Sequence, residues 1–118
     1  MADAGLIALC ASSALLDGGV ALRFELRADG QAASAFAVRY QGRVYAYLNR
    51  CAHRALELDW LPGQVFDADG RYLVCATHGA LFEPASGHCA GGPCDGHGGL
   101  RPLSVIEQDG TIYWKPDP

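Results

Sequence analysis

"AFAVRYQGRVYAYL" spans residues 35–48. Phenylalanine, valine and tyrosine crowd its two halves, and such side chains fit a pleated, half-buried surface. Gln41-Gly42 stands between them, where a chain reversal is needed. The stretch therefore reads as a β-hairpin. The same grammar extends in both directions. "ALRFELRADGQ" (21–31) alternates and then meets Asp29-Gly30. "VFDADGRYLVC" (65–75) predicts a hairpin turning at Asp69-Gly70, and "LSVIEQDGTIYW" (103–114) one turning at Asp109-Gly110. Asp-Gly between β-formers is among the better local hairpin signals. Residues 4–16 carry a spacing that a helix would also accept; the expectation is a first strand at about 6–10 followed by a loop. No long segment of 3.6-residue period appears, so the fold class is all-β and antiparallel.

The chain has 118 residues, enough for one domain with a real core but not for two. Residues 1–118 are accordingly read as a single domain, without internal repeat or linker, ending in the short polar tail "WKPDP". Half of the residues are hydrophobic and 19% are charged, a globular balance. The net charge of −4 argues against nucleic acid as a partner, because phosphate neutralisation needs a basic surface. It suits docking onto a partner with a basic patch. The longest apolar stretch, "LIALCASSALL" (6–16), is too short and too broken by serine to span a bilayer. A positive n-region is missing before it, so the expectation is no membrane and a cytoplasmic location.

Five cysteines, an odd number without a signal peptide, argue against a disulfide framework. Two of them stand beside histidines. "RCAHRALELDW" (50–60) holds Cys51 and His53 one residue apart, and "CATHG" (75–79) holds Cys75 and His78 two residues apart. Twenty-one residues lie between His53 and Cys75. A Cys2His2 set suggests structural zinc, but zinc pairs favour two to four intervening residues, and Cys51-Ala52-His53 is tight for that. A two-iron cluster relaxes the constraint: Cys51 and Cys75 would hold one iron as thiolates, His53 and His78 the other as imidazoles. "PASGHCAGGPCDGHGGL" (84–100) is rich in glycine and is expected to be a loop without regular structure. His88 and His97 within it are read as solvated, Cys89 and Cys94 as free thiols with a bridge across the four intervening residues as the alternative, and Cys10 as a small buried hydrophobe of the first strand. Tyr40, Tyr45, Tyr47 and Tyr72 are read as strand-packing residues.

C-x-H, then C-x-x-H-G, then the aromatic of "ALFEP", then "GHCAGGP" (87–93) and the closing "QDGTIYW" (108–114), resemble the Rieske [2Fe–2S] family from about Leu6 to Trp114. The resemblance implies three stacked antiparallel sheets with two cluster-binding loops at one tip. A proline-containing loop, matched by Gly92-Pro93, covers them. It implies one [2Fe–2S] cluster per chain on Cys51, His53, Cys75 and His78. Two features depart from the pattern. The 21-residue spacer is several residues longer than usual, with the surplus in the hairpin through "DADG". Ala76-Thr77 stands where many members carry proline and an aromatic. The supporting disulfide of respiratory-complex members is absent, since Leu56 (or Ala55) and Thr77 occupy its positions.

The sequence shows no dinucleotide fingerprint and no second facial set of two histidines and a carboxylate, so a one-electron carrier rather than an enzyme is expected. The chain looks like the ferredoxin component of bacterial ring-hydroxylating oxygenases, which takes electrons from a reductase and passes them to a terminal oxygenase. Other readings are a cluster-bearing small subunit resembling that of assimilatory nitrite reductase, or a structural zinc-binding interaction module. Arg54, Trp60 and the glycine-rich rim 86–99 are the candidate docking residues. High-potential members place a serine two residues after the second ligand histidine and a tyrosine two further on; here Ala80 and Phe82 stand there, implying a low potential.

Overall fold

In the computed structural model, residues 6–28, 30–49, 63–75, 79–92 and 99–116 are described. The hairpin that opened the reading is present: β3 (Gln31–Tyr40) and β4 (Arg43–Leu48) run antiparallel with Tyr40 opposite Arg43. Gln41 and Gly42 turn with φ of 51° and 82°. Two successive positive φ values define a type I′ turn, whose twist matches that of the strands it joins. Asp109 and Gly110 repeat it, at 52° and 79°, between β9 (Val105–Gln108) and β10 (Thr111–Trp114).

The strands form three antiparallel sheets. One is ordered β1 (Ile7–Ala11), β10, β9. The second is ordered β2 (Leu22–Ala28), β3, β4, β8 (Pro102–Leu103). The third is ordered β5 (Leu73–Val74), β6 (Leu81–Phe82), β7 (Cys89–Gly91). A 3-10 turn, Ser12–Ala14, follows β1.

Strand β3 explains the layering. Ala35, Phe36, Ala37 and Val38 are all buried, which needs both faces of the sheet to be covered. Phe36 and Val38 join Tyr47, Val65, Leu73, Cys75, Phe82 and Leu100 in the core facing the β5–β7 sheet. Ala37 and Ala46 pack with Leu15 and Ile112 beneath the β1–β10–β9 sheet, and Ala35 with Leu26 and Leu48 beside Trp114. The small side chains let that sheet approach, while the large ones fill the space on the other side. Arg39, at the end of β3, donates to the Ser12 and Leu15 carbonyls and pairs with Glu107, so one side chain ties the 3-10 turn to β9.

Three expectations change. Residues 84–100 are not wholly irregular: β7 pairs with β6, and His88 bridges Gly99. Alternation fails as a signal in so short a strand, because the ladder, and not the side-chain pattern, creates it. The 65–75 hairpin is reduced to the bridge Phe66–Leu73 with Asp67 N–H donating to the Tyr72 carbonyl, because Leu73 and Val74 also pair with β6. Tyr72 lies outside any strand and is 37% exposed, whereas Tyr47 is buried as expected. Among the described residues, no helix is long and apolar enough to cross a membrane.

Candidate metal centre

Of the four proposed ligands, Cys75 lies among the described residues; Cys51, His53 and His78 lie outside them, as do Arg54, Trp60, Cys94 and His97. What the structure fixes is the frame from which the ligand-bearing segments leave. Segment 50–62 departs from Asn49, a buried polar residue whose N–H donates to the Ser34 carbonyl at 2.8 Å. It returns at Gly63, whose carbonyl accepts from Ala21 N–H at 2.7 Å. Gly63 has φ +85°, and a Cβ there would stand 2.6 Å from Val20 Cγ1 and 2.8 Å from the Ala21 oxygen. Only glycine fits that approach. Two residues on, the Val65 carbonyl accepts from Val74 N–H, which ties the exit of the first segment to the strand that delivers Cys75.

Cys75 follows β5 directly. Its N–H donates to the Ala80 carbonyl at 2.9 Å, and its carbonyl accepts from Gly79 N–H at 2.7 Å. These bonds close the base of the segment 76–78. The Cys75 thiol is free and wholly buried, and among the described residues it has no hydrogen-bond partner. A buried sulfur without an acceptor fits a metal thiolate, and the Cys/His donor set fits iron in a [2Fe–2S] cluster. Ala80 and Phe82, beside it in the same core, are fully buried and bring no hydroxyl.

The glycine-rich stretch closes over this corner. Gly92, at φ +80°, lies so near the second segment that an added Cβ would stand 2.7 Å from the Gly79 oxygen and 3.0 Å from Ala80 Cα. Its other end is fixed by Gly99, where a Cβ would meet the Gly87 oxygen at 2.5 Å. Gly87 packs against the ring of buried Tyr47, whose hydroxyl donates to the Pro84 carbonyl at 2.6 Å. Burial pushes the Tyr47 phenol well above the usual tyrosine range. The sequence reading missed this Tyr47–Pro84 clasp; the signal available was a tyrosine in a strand with a buried face, which needs a partner for its hydroxyl.

His88 is exposed, as expected. Cys89 is not a free thiol: it is disulfide-bonded, with its partner outside the described residues. Its sulfur lies 3.8 Å from the Gly91 carbonyl, a van der Waals approach, since a disulfide sulfur has no proton to donate. An odd cysteine count speaks against a framework of bridges and does not exclude a single one.

The Rieske [2Fe-2S] domain family matches residues 6–113. The chain belongs to the Rieske [2Fe-2S] family. That places one [2Fe–2S] cluster in the protein, and the observed fold of three antiparallel sheets is that of Rieske proteins. Among solved structures, the Rieske chain is similar to the ferredoxin of carbazole 1,9a-dioxygenase from Nocardioides aromaticivorans IC177. The two are 24% identical with a TM-score of 0.70, over 95% of this chain and 98% of that one. A chain in the complex of reduced oxygenase and oxidized ferredoxin in carbazole 1,9a-dioxygenase is 24% identical with a TM-score of 0.71, over 94% of this chain and 93% of that one. The terminal oxygenase of the same Nocardioides system is 18% identical with a TM-score of 0.72, over 96% of this chain but 30% of that one. Comparison with curated protein sequences finds no match. At these identities the likeness shows the Rieske fold.

Proposed function

We propose that this Rieske protein is a one-electron carrier, a ferredoxin that receives electrons from a reductase and delivers them to an oxygenase-type acceptor. The observation that supports this most is the near end-to-end correspondence with a carbazole dioxygenase ferredoxin, against under a third of the terminal oxygenase. Cys51 and Cys75 would hold one iron and His53 and His78 the other. The cluster, when bound, supplies the one-electron change. The chain anchors Cys75 by two backbone hydrogen bonds, keeps its sulfur from water, and lays the Gly92 turn over the Gly79 edge. Arg54, Trp60 and the 86–99 rim, nearest the ligand histidines in sequence, would supply the docking edge.

The potential lies at the low end of the Rieske range. Apolar, fully buried Ala80 and Phe82 stand where hydroxyl donors would otherwise favour the reduced state. Such a potential suits donation to an oxygenase. Stopped-flow reduction of the purified protein by a flavin reductase, followed by reoxidation with a ring-hydroxylating oxygenase, tests the reading. Fast transfer in both halves is expected; a protein reduced by neither reductase nor low-potential dye overturns it.

A further inference from the structure

The hairpin that lengthens the spacer between the two ligand pairs builds a second feature. Its tip, Asp67–Tyr72, lies against the loop Leu16–Val20: an added Cβ at Gly18 would be 3.8 Å from Gly70 Cα. Between them, the end of β3 and the turn after β6, runs an open groove of about 450 Å³. Asp17, Tyr40, Arg71, Tyr72, Glu83 and Pro84 line it.

Its walls are held in place. Asp17 accepts from Gln41 and Gly42 N–H at 2.6 and 2.7 Å. Asp67 accepts from Arg71 N–H at 2.9 Å and so fixes the hairpin turn. The Pro84 carbonyl takes the Tyr47 hydroxyl, and Tyr40 stacks on Phe66 with ring centroids 6.3 Å apart. Such a groove needs little ordering to receive a ligand.

Its chemistry is one-sided. Two tyrosines face it, and large apolar side chains stand exposed on the bordering segments, Leu16 at 70% and Val20 at 61%. Asp17 and Glu83 line it with one cation, Arg71, and the hairpin turn beside it carries Asp67 and Asp69; of these carboxylates, Asp17 also faces Arg39, which is paired with Glu107. Among the described residues, Asp69 and Glu83 have no ion-pair partner. Tyrosine faces attract a cation, most strongly where neighbouring carboxylates concentrate it. We propose that this groove docks a basic side chain, arginine or lysine between apolar neighbours, presented on the surface of a protein partner. The contact sets the orientation of that partner on this face.

The test is titration of the ¹⁵N-labelled holoprotein with acetyl-leucyl-arginyl-leucinamide, and with the isosteric peptide carrying neutral citrulline. Saturable amide shifts at Gly18, Gln41 and Ala85 are expected with the arginine peptide. The citrulline peptide, and the variant Asp69→Asn/Glu83→Gln titrated with the arginine peptide, are each expected to bind about two- to fivefold more weakly, equivalent to ~0.5–1 kcal/mol. Tyr72→Ala removes one aromatic wall at a half-exposed position and weakens binding again. Equal affinity for both peptides, or shifts absent from these three amides, overturns the proposal. Neither result depends on whether the protein carries electrons, so failure here is distinct from failure of the ferredoxin reading.

Discussion

Gly92 rests backbone to backbone on Gly79, so close that a single methyl group at residue 92 would stand 2.7 Å from the Gly79 oxygen. One turn thereby bears on the residue that follows a proposed ligand, His78. Gly92→Ala is expected to strain the turn at φ +80° and push it off the second segment, costing ~1–3 kcal/mol. Gly110→Ala is the control, since Gly110 shares φ +79° but has open space around it. Thermal unfolding should fall for both variants, while visible absorbance of the cluster should bleach faster only in Gly92→Ala. Equal bleaching would detach the Gly92 contact from cluster retention.

Tyr47 is the support beneath that turn. Tyr47→Phe removes the donor to the Pro84 carbonyl in a fully buried place and leaves the acceptor unpaired, at a cost of ~1–3 kcal/mol. Chemical denaturation reads the loss. The midpoint potential should stay at the wild-type value, because the hydroxyl is spent on the backbone. A shifted potential with unchanged stability would contradict this role.

The Arg39–Glu107 pair, at 2.6 and 3.1 Å, makes stability depend on acid. Arg39 holds the Glu107 carboxyl below the usual glutamate range; the Ser12 hydroxyl adds little, since it is buried without a hydrogen bond of good geometry. A carboxyl depressed in the folded state contributes its full stability above its unfolded pKa of about 4.3. It loses that contribution as pH falls through the lower folded value. Glu107→Gln should therefore flatten the stability profile below about pH 4 and lower its plateau near neutrality. Urea midpoints across pH 2–7 check this; a parallel profile in the variant would rule the pair out as its source.

The proposed ligand set makes a compositional demand. Purified protein should hold about two iron and two acid-labile sulfides per chain and no zinc. His53→Ala and His78→Ala should lose the visible spectrum, while His88→Ala, at an exposed position, should keep it. Metal analysis of the four proteins decides. Loss of colour in His88→Ala, or its retention in His53→Ala, would redraw the ligand set.

The hairpins were legible because Gln41-Gly42 and Asp109-Gly110 carry their own turn chemistry, independent of anything distant in the chain. Of the second Cys/His pair, Cys75 emerges at the end of a strand in a dry corner, while His78 lies outside the described residues. The β7 strand was not legible, because Cys89–Gly91 has no pattern of its own and exists by pairing with Leu81 and Phe82. The seat of Gly92 on Gly79 carries no local signal of its own, and only the family resemblance, which lays the Gly92-Pro93 loop over the cluster-binding loops, pointed to it. The covalent state of Cys89 depends on what lies near it in space, which a count of five cysteines does not carry.

The proposed low reduction potential rests on what Ala80 and Phe82 lack. The family's potentials run from about −150 to +300 mV, and donors to the sulfurs raise them by stabilising the extra negative charge of the reduced state. Ala80 and Phe82 are wholly buried in the same core as Cys75, so water does not replace the missing donors at their side chains. Each absent bond to a charged acceptor is worth ~1.5–3 kcal/mol gross, part of which solvent at the cluster's exposed edge offsets. Ala80→Ser/Phe82→Tyr should therefore raise the midpoint, with the double variant moving further than either single one. The substitutions also place hydroxyls in a dry core, so unfolding must be followed beside potentiometry to separate a repacked core from a tuned cluster. A wild-type midpoint near the positive end of the range, or a folded double variant with no upward shift, would show that hydrogen-bond donors at residues 80 and 82 do not set the potential of this protein.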